Sequence, residues 1–134
     1  MRVLLDCNVV LDVLNRRSEF FASSARILDC CESGKLHGSI AWHSLSNAFY
    51  LADNQTQAEK FFTDLLGFVE VVGGDTALAR AALRAGFSDM EDAMQSVLAA
   101  HFQADFIVTR NVKDFKLSPV KAMTPADLEA KFLK

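Results

Sequence analysis

Apolar positions recur along this chain in two rhythms, and the switches between them divide it into short strands and amphipathic helices. "RVLLD" (residues 2–6) is an apolar run closed by Asp6 and predicts a buried strand. "NVVLDVLNRR" (8–17) and "FFASSARILDCCESGK" (20–35) predict two helices, the second stopped near Gly34. "LHGSIAW" (36–42) reads as a second strand, followed by a helical pair, "HSLSNAFYLADN" and "QTQAEKFFTDLLGF" (43–54 and 55–68). "FVEVV" (68–72) is a third strand, bounded by Gly73 and Gly74, and "DTALARAALRAG" (75–86) is a helix closed by Gly86. "FSDMEDAMQSVLAAHFQA" (87–104) predicts a further helix, "DFIVT" (105–109) a fourth strand, "RNVKDF" (110–115) a loop and "VKAM" (120–123) a short fifth strand. The clearest helix start is "TPADLEAKF" (124–132), with Thr124 as N-cap, Pro125 at N1 and Asp127 at N3.

Strands alternating with helices predict a three-layer α/β/α sandwich around a central, mostly parallel sheet of four to five strands. The 134 residues suit a single domain spanning 1–134, with no repeat, low-complexity tract or linker. In such sheets ligands bind beyond the carboxyl ends of the strands, near the reversal of strand order. That rule singles out Asp6, at the end of the first strand, and the stretch from Thr109 to Asp114 after the fourth.

Composition narrows the field. Hydrophobic residues make up 51% of the chain, including eleven Phe, so a folded core is expected. The formal net charge of -3 gives no general affinity for polyanions, and any nucleic acid would need a local basic patch or a bridging cation. Cys7, Cys30 and Cys31 lack CxxC spacing and are expected as reduced thiols; His37, His43 and His101 lack zinc-like spacing. No apolar run is long enough to span a bilayer and no signal pattern opens the chain, so a cytoplasmic protein without a membrane partner is expected.

Against that background "FSDMEDAMQS" (87–96) crowds Asp89, Glu91 and Asp92 into four positions. Acids in a first helical turn complement the macrodipole, so plain capping is one reading and a metal cage is the other. On a helical wheel Met90, Met94, Val97 and His101 form one face, expected to be the core stripe. Asp92 lies nearly opposite, beside Ser96, Ala99 and Gln103, and Asp89 can share its side. Asp6 either caps the helix that follows or faces a site at the strand end. The stretch "TRNVKDF" repeats that arrangement with Thr109, Asn111 and Asp114. Several oxygen ligands at strand ends suit a hard cation such as Mg2+ or Mn2+.

"LLDCNVVLDVL", "FSDMEDAMQSVLAA", "FIVTRNVKDF" and "SPVKAMTPADLEAKFL" together resemble the PIN-domain family, in particular its small single-domain bacterial members, many of them toxin halves of toxin–antitoxin pairs. The resemblance spans nearly the whole chain. It implies a parallel sheet with flanking helices and a metal-dependent ribonuclease with an acidic cluster. Carried over by position, Asp6 matches the first family acid, Asp92 the acid heading the later helix, and Asp114 or Asn111 the position after the last motif strand. Asp89 resembles an accessory acid. The second family acid, usually a Glu, falls on Asn47, whose amide adds no charge, and Asn111 stands where many members carry Asp.

The catalytic set implied is Asp6, Asp92 and Asp114, with Asp89 joining them as a metal ligand. Asn8, Asn47, Glu91, Thr109 and Asn111 are auxiliary, and Ser46 joins Thr109 as a hydroxyl candidate for water or phosphate. Arg110 and Lys113, beside the acidic loop, are the candidate RNA contacts. The expected partners are RNA, an antitoxin protein and a second copy of the chain, with aromatic pairs such as Phe20–Phe21, Phe61–Phe62 and Phe49–Tyr50 as candidate contact faces. The competing functions are a catalytically weak PIN-like module binding RNA or protein, prompted by Asn47 and Asn111, and a phosphate-transfer or receiver-type domain. "LLDCNVV" lacks the DxD pair of a haloacid-dehalogenase-like phosphatase.

Overall fold

The computed structural model describes residues 1–133. Five strands, β1 (Arg2–Leu5), β2 (His37–Ala41), β3 (Val69–Val72), β4 (Phe106–Val108) and β5 (Lys121–Met123), pair in the order β3-β2-β1-β4-β5. Every pairing is parallel. The expectation of a mostly parallel sheet therefore resolves as wholly parallel. The strand order reverses at β1, so a crevice opens where β1 and β4 end side by side.

Side chains alternate across the sheet with period two. Val3, Leu5, Ile40, Val108 and Met123 face one core, which they share with α1 (Cys7–Leu14), α2 (Phe21–Glu32), α3 (Trp42–Leu51), α4 (Gln55–Leu65) and α7 (Pro125–Leu128). Leu4, Ala41, Val72, Ile107 and Ala122 face the other, beneath α6 (Met90–His101) and with Leu78 of α5 (Thr76–Arg84) packed against it. The same parity carries past the strand ends and sends Asp6 and Thr109 towards α6.

The predicted stops hold where glycine allows the backbone to turn: Gly34 has φ +84° and Gly86 φ +81°. Thr124 caps α7 by accepting from Asp127 N, with Pro125 in the first turn. Four boundaries differ from expectation. α1 ends at Leu14 rather than Arg17, because Arg16 turns to φ +49° and Arg17 N returns to Asp12 O. Trp42 opens α3 instead of ending β2. The stretch read as a loop holds a 3-10 turn, Val112–Phe115, anchored by buried Phe115. The last helix passes after Leu128 into a π-helical turn, Glu129–Leu133.

The wheel reading of α6 is corrected. Its buried residues are Ala93, Gln95, Ser96, Leu98 and Ala99, while Met90 and His101 are exposed and Met94 and Val97 half-buried. Asp92 does lie beside Ser96 and Ala99, but theirs is the inward face. Small side chains let α6 sit close over the sheet at that face, which hydrophobicity alone does not foresee.

Candidate active site

Asp6 stands in the crevice between β1 and β4 and is only 6% exposed. Its backbone starts α1, yet its carboxylate makes no cap hydrogen bond. Instead Oδ1 accepts from Gln95 Nε2 at 3.0 Å, and Oδ2 accepts from Thr109 Oγ1 at 2.7 Å and Asn8 Nδ2 at 3.2 Å. The capping alternative for Asp6 is thereby excluded. The Thr109 hydroxyl gives its one proton to Asp6 and accepts from Asn111 N at 3.0 Å. Buried and committed in this way, Thr109 positions Asp6 and is not free to hold phosphate. Ser46 is exposed and does not line the cleft.

Asp6, Asn8, Asn47, Asp89, Glu91, Asp92, Asn111 and Asp114 line one open cleft of about 480 Å³. The acids at 89–92 take different roles. Asp89 is the cap of α6, with Oδ1 accepting from Asp92 N at 3.0 Å. Asp92 and Glu91 instead turn into the cleft. Burial, then the charges of Asp89, Asp6, Asp114 and Glu91, push the Asp92 carboxyl up to about 7. Glu91 is raised by burial and by Asp6, against the hydrogen bond it accepts from Asn47 Nδ2 at 2.9 Å. Asn47 therefore faces the cleft, with its amide nitrogen turned to a carboxylate.

Oxygen donors arriving from several elements, mutually repulsive and half-sheltered from water, have the chemistry that suits a hard divalent cation. Gln95 Oε1 is buried and has no hydrogen-bond partner among the described residues, a further oxygen in the same place. Among the described residues, however, no three acidic, His or Cys side chains close around one point as a metal cage would. The acids share a field without converging.

Two residues that sequence reading passed over prove central. Gln95 lies one turn beyond Asp92, and its polar side chain within "MQSVLAA" was the available signal. Asp12, embedded in "VVLDVL", is fully buried. It pairs with Arg110 at 3.0 Å and Arg17 at 3.5 Å and accepts from Ser24 Oγ at 3.2 Å. Burial still raises its carboxyl, outweighing Arg110, Ser24 and Arg17. The Arg110 guanidinium also lies over the Phe20 ring, 4.3 Å from its centroid. Arg110 is thus turned to Asp12 and Phe20, whereas Lys113 lines an adjoining groove with Asp89, Asp92 and Asp114.

The Asp92 position yields a test of sign. A carboxyl raised in the folded state contributes its stability below the unfolded value of about 3.8 and loses it as pH rises to about 7. Full conversion of that shift would give roughly 4 kcal/mol; solvent screening at this half-exposed position leaves about 1–2 kcal/mol. Asp92→Asn should therefore stabilise metal-free protein by that amount at pH 8 and by little at pH 4. Denaturant melts in chelator check it, and a loss of about 0.3–1 kcal/mol at pH 8 would mark Asp92 as a plain helix-dipole acid.

The family model described as "PIN domain" matches residues 2–113. No curated protein matches the sequence. Among solved structures, a chain of VapBC2 from Rickettsia felis, bound to a promoter DNA fragment, is similar with TM-score 0.70 and 16% identity, over 92% of this chain and 98% of that one. A toxin–antitoxin complex from Klebsiella pneumoniae gives 0.69 and 21% identity, over 92% and 97%. FitAcB from Neisseria gonorrhoeae gives 0.70 and 16%, over 92% and 98%. At these identities the likeness speaks for the fold.

Proposed function

The chain belongs to the PIN-domain family, and on that premise we propose that it is a divalent-metal-dependent ribonuclease, the toxin component of a toxin–antitoxin pair. The observation that carries the reading is the cleft itself: Asp6, Asp92 and Asp114 arrive from β1, α6 and the 3-10 turn after β4 at the reversal of strand order. Closing in on one another from their places around the cleft, Asp6, Asp92 and Asp114 would hold the metal, Mg2+ or Mn2+, with Asp89 beside them. When bound, such a cation makes water a better nucleophile and stabilises charge on the leaving oxygen.

The chain's own groups orient and exclude. Gln95, Thr109 and Asn8 hold the Asp6 carboxylate in place. Lys113 sets a positive charge beside the acids, where an RNA phosphate would pass. Since the whole chain carries a net charge of -3, RNA binding should be weak and fall steeply with salt. Tyr50, 84% exposed, and Leu51 rim the cleft at the end of α3. An antitoxin seated there would cover the acids, and self-association is a second use of such apolar surface. The structural likeness to toxin–antitoxin complexes supports the antitoxin partner. Among the described residues no helix is long and apolar enough to cross a membrane. The cytoplasm is the proposed location, as befits a toxin of a toxin–antitoxin pair.

Asn47, bonded to Glu91 where the family resemblance leads one to expect an acid, favours a second reading: a catalytically weak module that binds RNA or protein. One experiment separates the two. Purified protein incubated with single-stranded RNA should cleave it with manganese or magnesium and leave it whole in chelator. Equal cleavage by an Asp6→Asn, Asp92→Asn double variant would reassign the activity to a contaminant. Binding without metal-dependent cleavage would select the second reading.

A further inference from the structure

The cleft that gathers the acids also admits a cation. Among the described residues Arg17 is the only basic one that lines it, alongside Asp6, Asp89, Glu91, Asp92 and Asp114. We propose that Arg17 binds a phosphate of single-stranded RNA and so holds the strand across the acids. The proposal rests on the ribonuclease reading above and names a residue that would receive the substrate's charge.

The backbone fixes where Arg17 stands. Arg16 turns to φ +49°, in the left-handed region, and Arg17 N then donates to Asp12 O at 3.0 Å. Arg17 O accepts from Phe20 N at 2.9 Å and from Phe21 N at 2.8 Å. Its guanidinium lies 3.5 Å from the buried Asp12 carboxylate, and the side chain is 39% exposed. Asp12 is shared, however. Arg110 is nearer to it at 3.0 Å, is less exposed at 24%, and lies over the Phe20 ring. One carboxylate between two guanidinium groups leaves a positive charge over, and the greater exposure assigns that charge to Arg17. Among the described residues Arg17 forms no ion pair with any acid of the cleft. It is anchored from behind by Asp12 and uncommitted on the cleft side.

A phosphate is the anion that this group fits. Guanidinium donors in one plane match two phosphate oxygens at once. The carboxylates alone would repel a phosphodiester that met no cation. Lys113 supplies the second fixed point. It lines an adjoining groove of about 500 Å³ that shares Asp89, Asp92 and Asp114 with the cleft. A strand running from Arg17 to Lys113 therefore passes over Asp92 and Asp114, which border both spaces. Repeated phosphates can engage both cations while the acids between them face the middle of the strand.

Anisotropy of a fluorescein-labelled single-stranded RNA, titrated with the full chain in chelator, reads the contact while the RNA stays whole. Arg17→Gln should weaken binding about tenfold, the loss of a hydrogen-bonded charge contact. It should also flatten the slope of log affinity against log salt by about 0.7, the share of one phosphate contact on a single strand. Arg17→Lys should keep the slope and regain only part of the affinity, because an ammonium keeps the charge without the paired donors. Mn2+ binding, read from the EPR signal of the free ion, should be unchanged or tighter in Arg17→Gln, since a positive charge has left the cleft. Equal RNA affinity and slope for wild type and Arg17→Gln overturn the proposal, as does RNA that the wild type does not bind. Weaker Mn2+ binding together with a lowered Tm also overturns it, and makes Arg17 a strut for Asp12. Loss of polyglutamate binding with RNA binding unchanged overturns it too, and assigns Arg17 to an acidic protein partner. The ribonuclease reading fails separately: RNA bound through Arg17 but never cut in the presence of metal removes the activity and leaves the phosphate contact standing.

Discussion

On the ribonuclease reading proposed above, Asp6→Asn should lower metal-dependent RNA cleavage by more than about a hundredfold while leaving the fold intact. Loss of a residue that only orients a metal ligand typically costs about 10–100-fold, so loss of the charge of a proposed ligand should cost more. The fold should survive because an amide fills the same volume in the crevice. The substitution is nevertheless not silent locally. Asp6 accepts three hydrogen bonds, from Gln95, Thr109 and Asn8, and an amide nitrogen must face one or more of those donors. Thr109 can rotate its hydroxyl to accept instead, and Gln95 can turn its unpartnered Oε1 towards the new amide. A thermal melt close to that of wild type, with cleavage gone, would place Asp6 in the chemistry. Retained cleavage would move the catalytic centre elsewhere.

Asp12→Ala should cost about 2–4 kcal/mol of stability and lower Tm by roughly ten degrees. The substitution strips the counter-charge from Arg110 and Arg17, leaves Ser24 Oγ without its acceptor and opens space in a fully buried position. The range sits about 1 kcal/mol lower than the 3–5 kcal/mol of a fully buried pair because the Arg110 side chain is 24% exposed and rehydrates in part. Burial already works against the Asp12 carboxyl, so part of the pair's attraction offsets that penalty. Denaturant melts measure the effect. RNA binding by Arg110→Gln supplies the complementary result: a contact residue would lose affinity with little change in stability, whereas a strut to Asp12 loses stability first. The geometry favours the strut, because the guanidinium lies between Asp12 and Phe20.

The alternation of strand and helix, the helix stops at Gly34 and Gly86, and the Thr124 cap were all legible from the chain, because each depends on local periodicity or on one residue's backbone preference. So was the prominence of Asp6, since a strand end at the reversal of order is a local feature with a general consequence. The inward face of α6 was not legible. Ala93, Ser96 and Ala99 are buried because they are small enough for close packing over the sheet, while Met90 and His101, read as core, point to water. Only that packing brings Gln95 to Asp6 across 89 positions, and Asn47 to Glu91 across 44. Asp89 and Asp92 have the same side chain three residues apart, yet one caps the helix and the other is pushed up to about 7. Composition and spacing cannot separate them, because the difference lies in which neighbours the fold sets around each carboxylate. The sequence by itself determined the layered architecture and the acids available to it. Tertiary structure decided which acid caps, which faces the cleft, and that Arg110 turns to Asp12 and Phe20, since burial and charge act through space across elements distant in the chain.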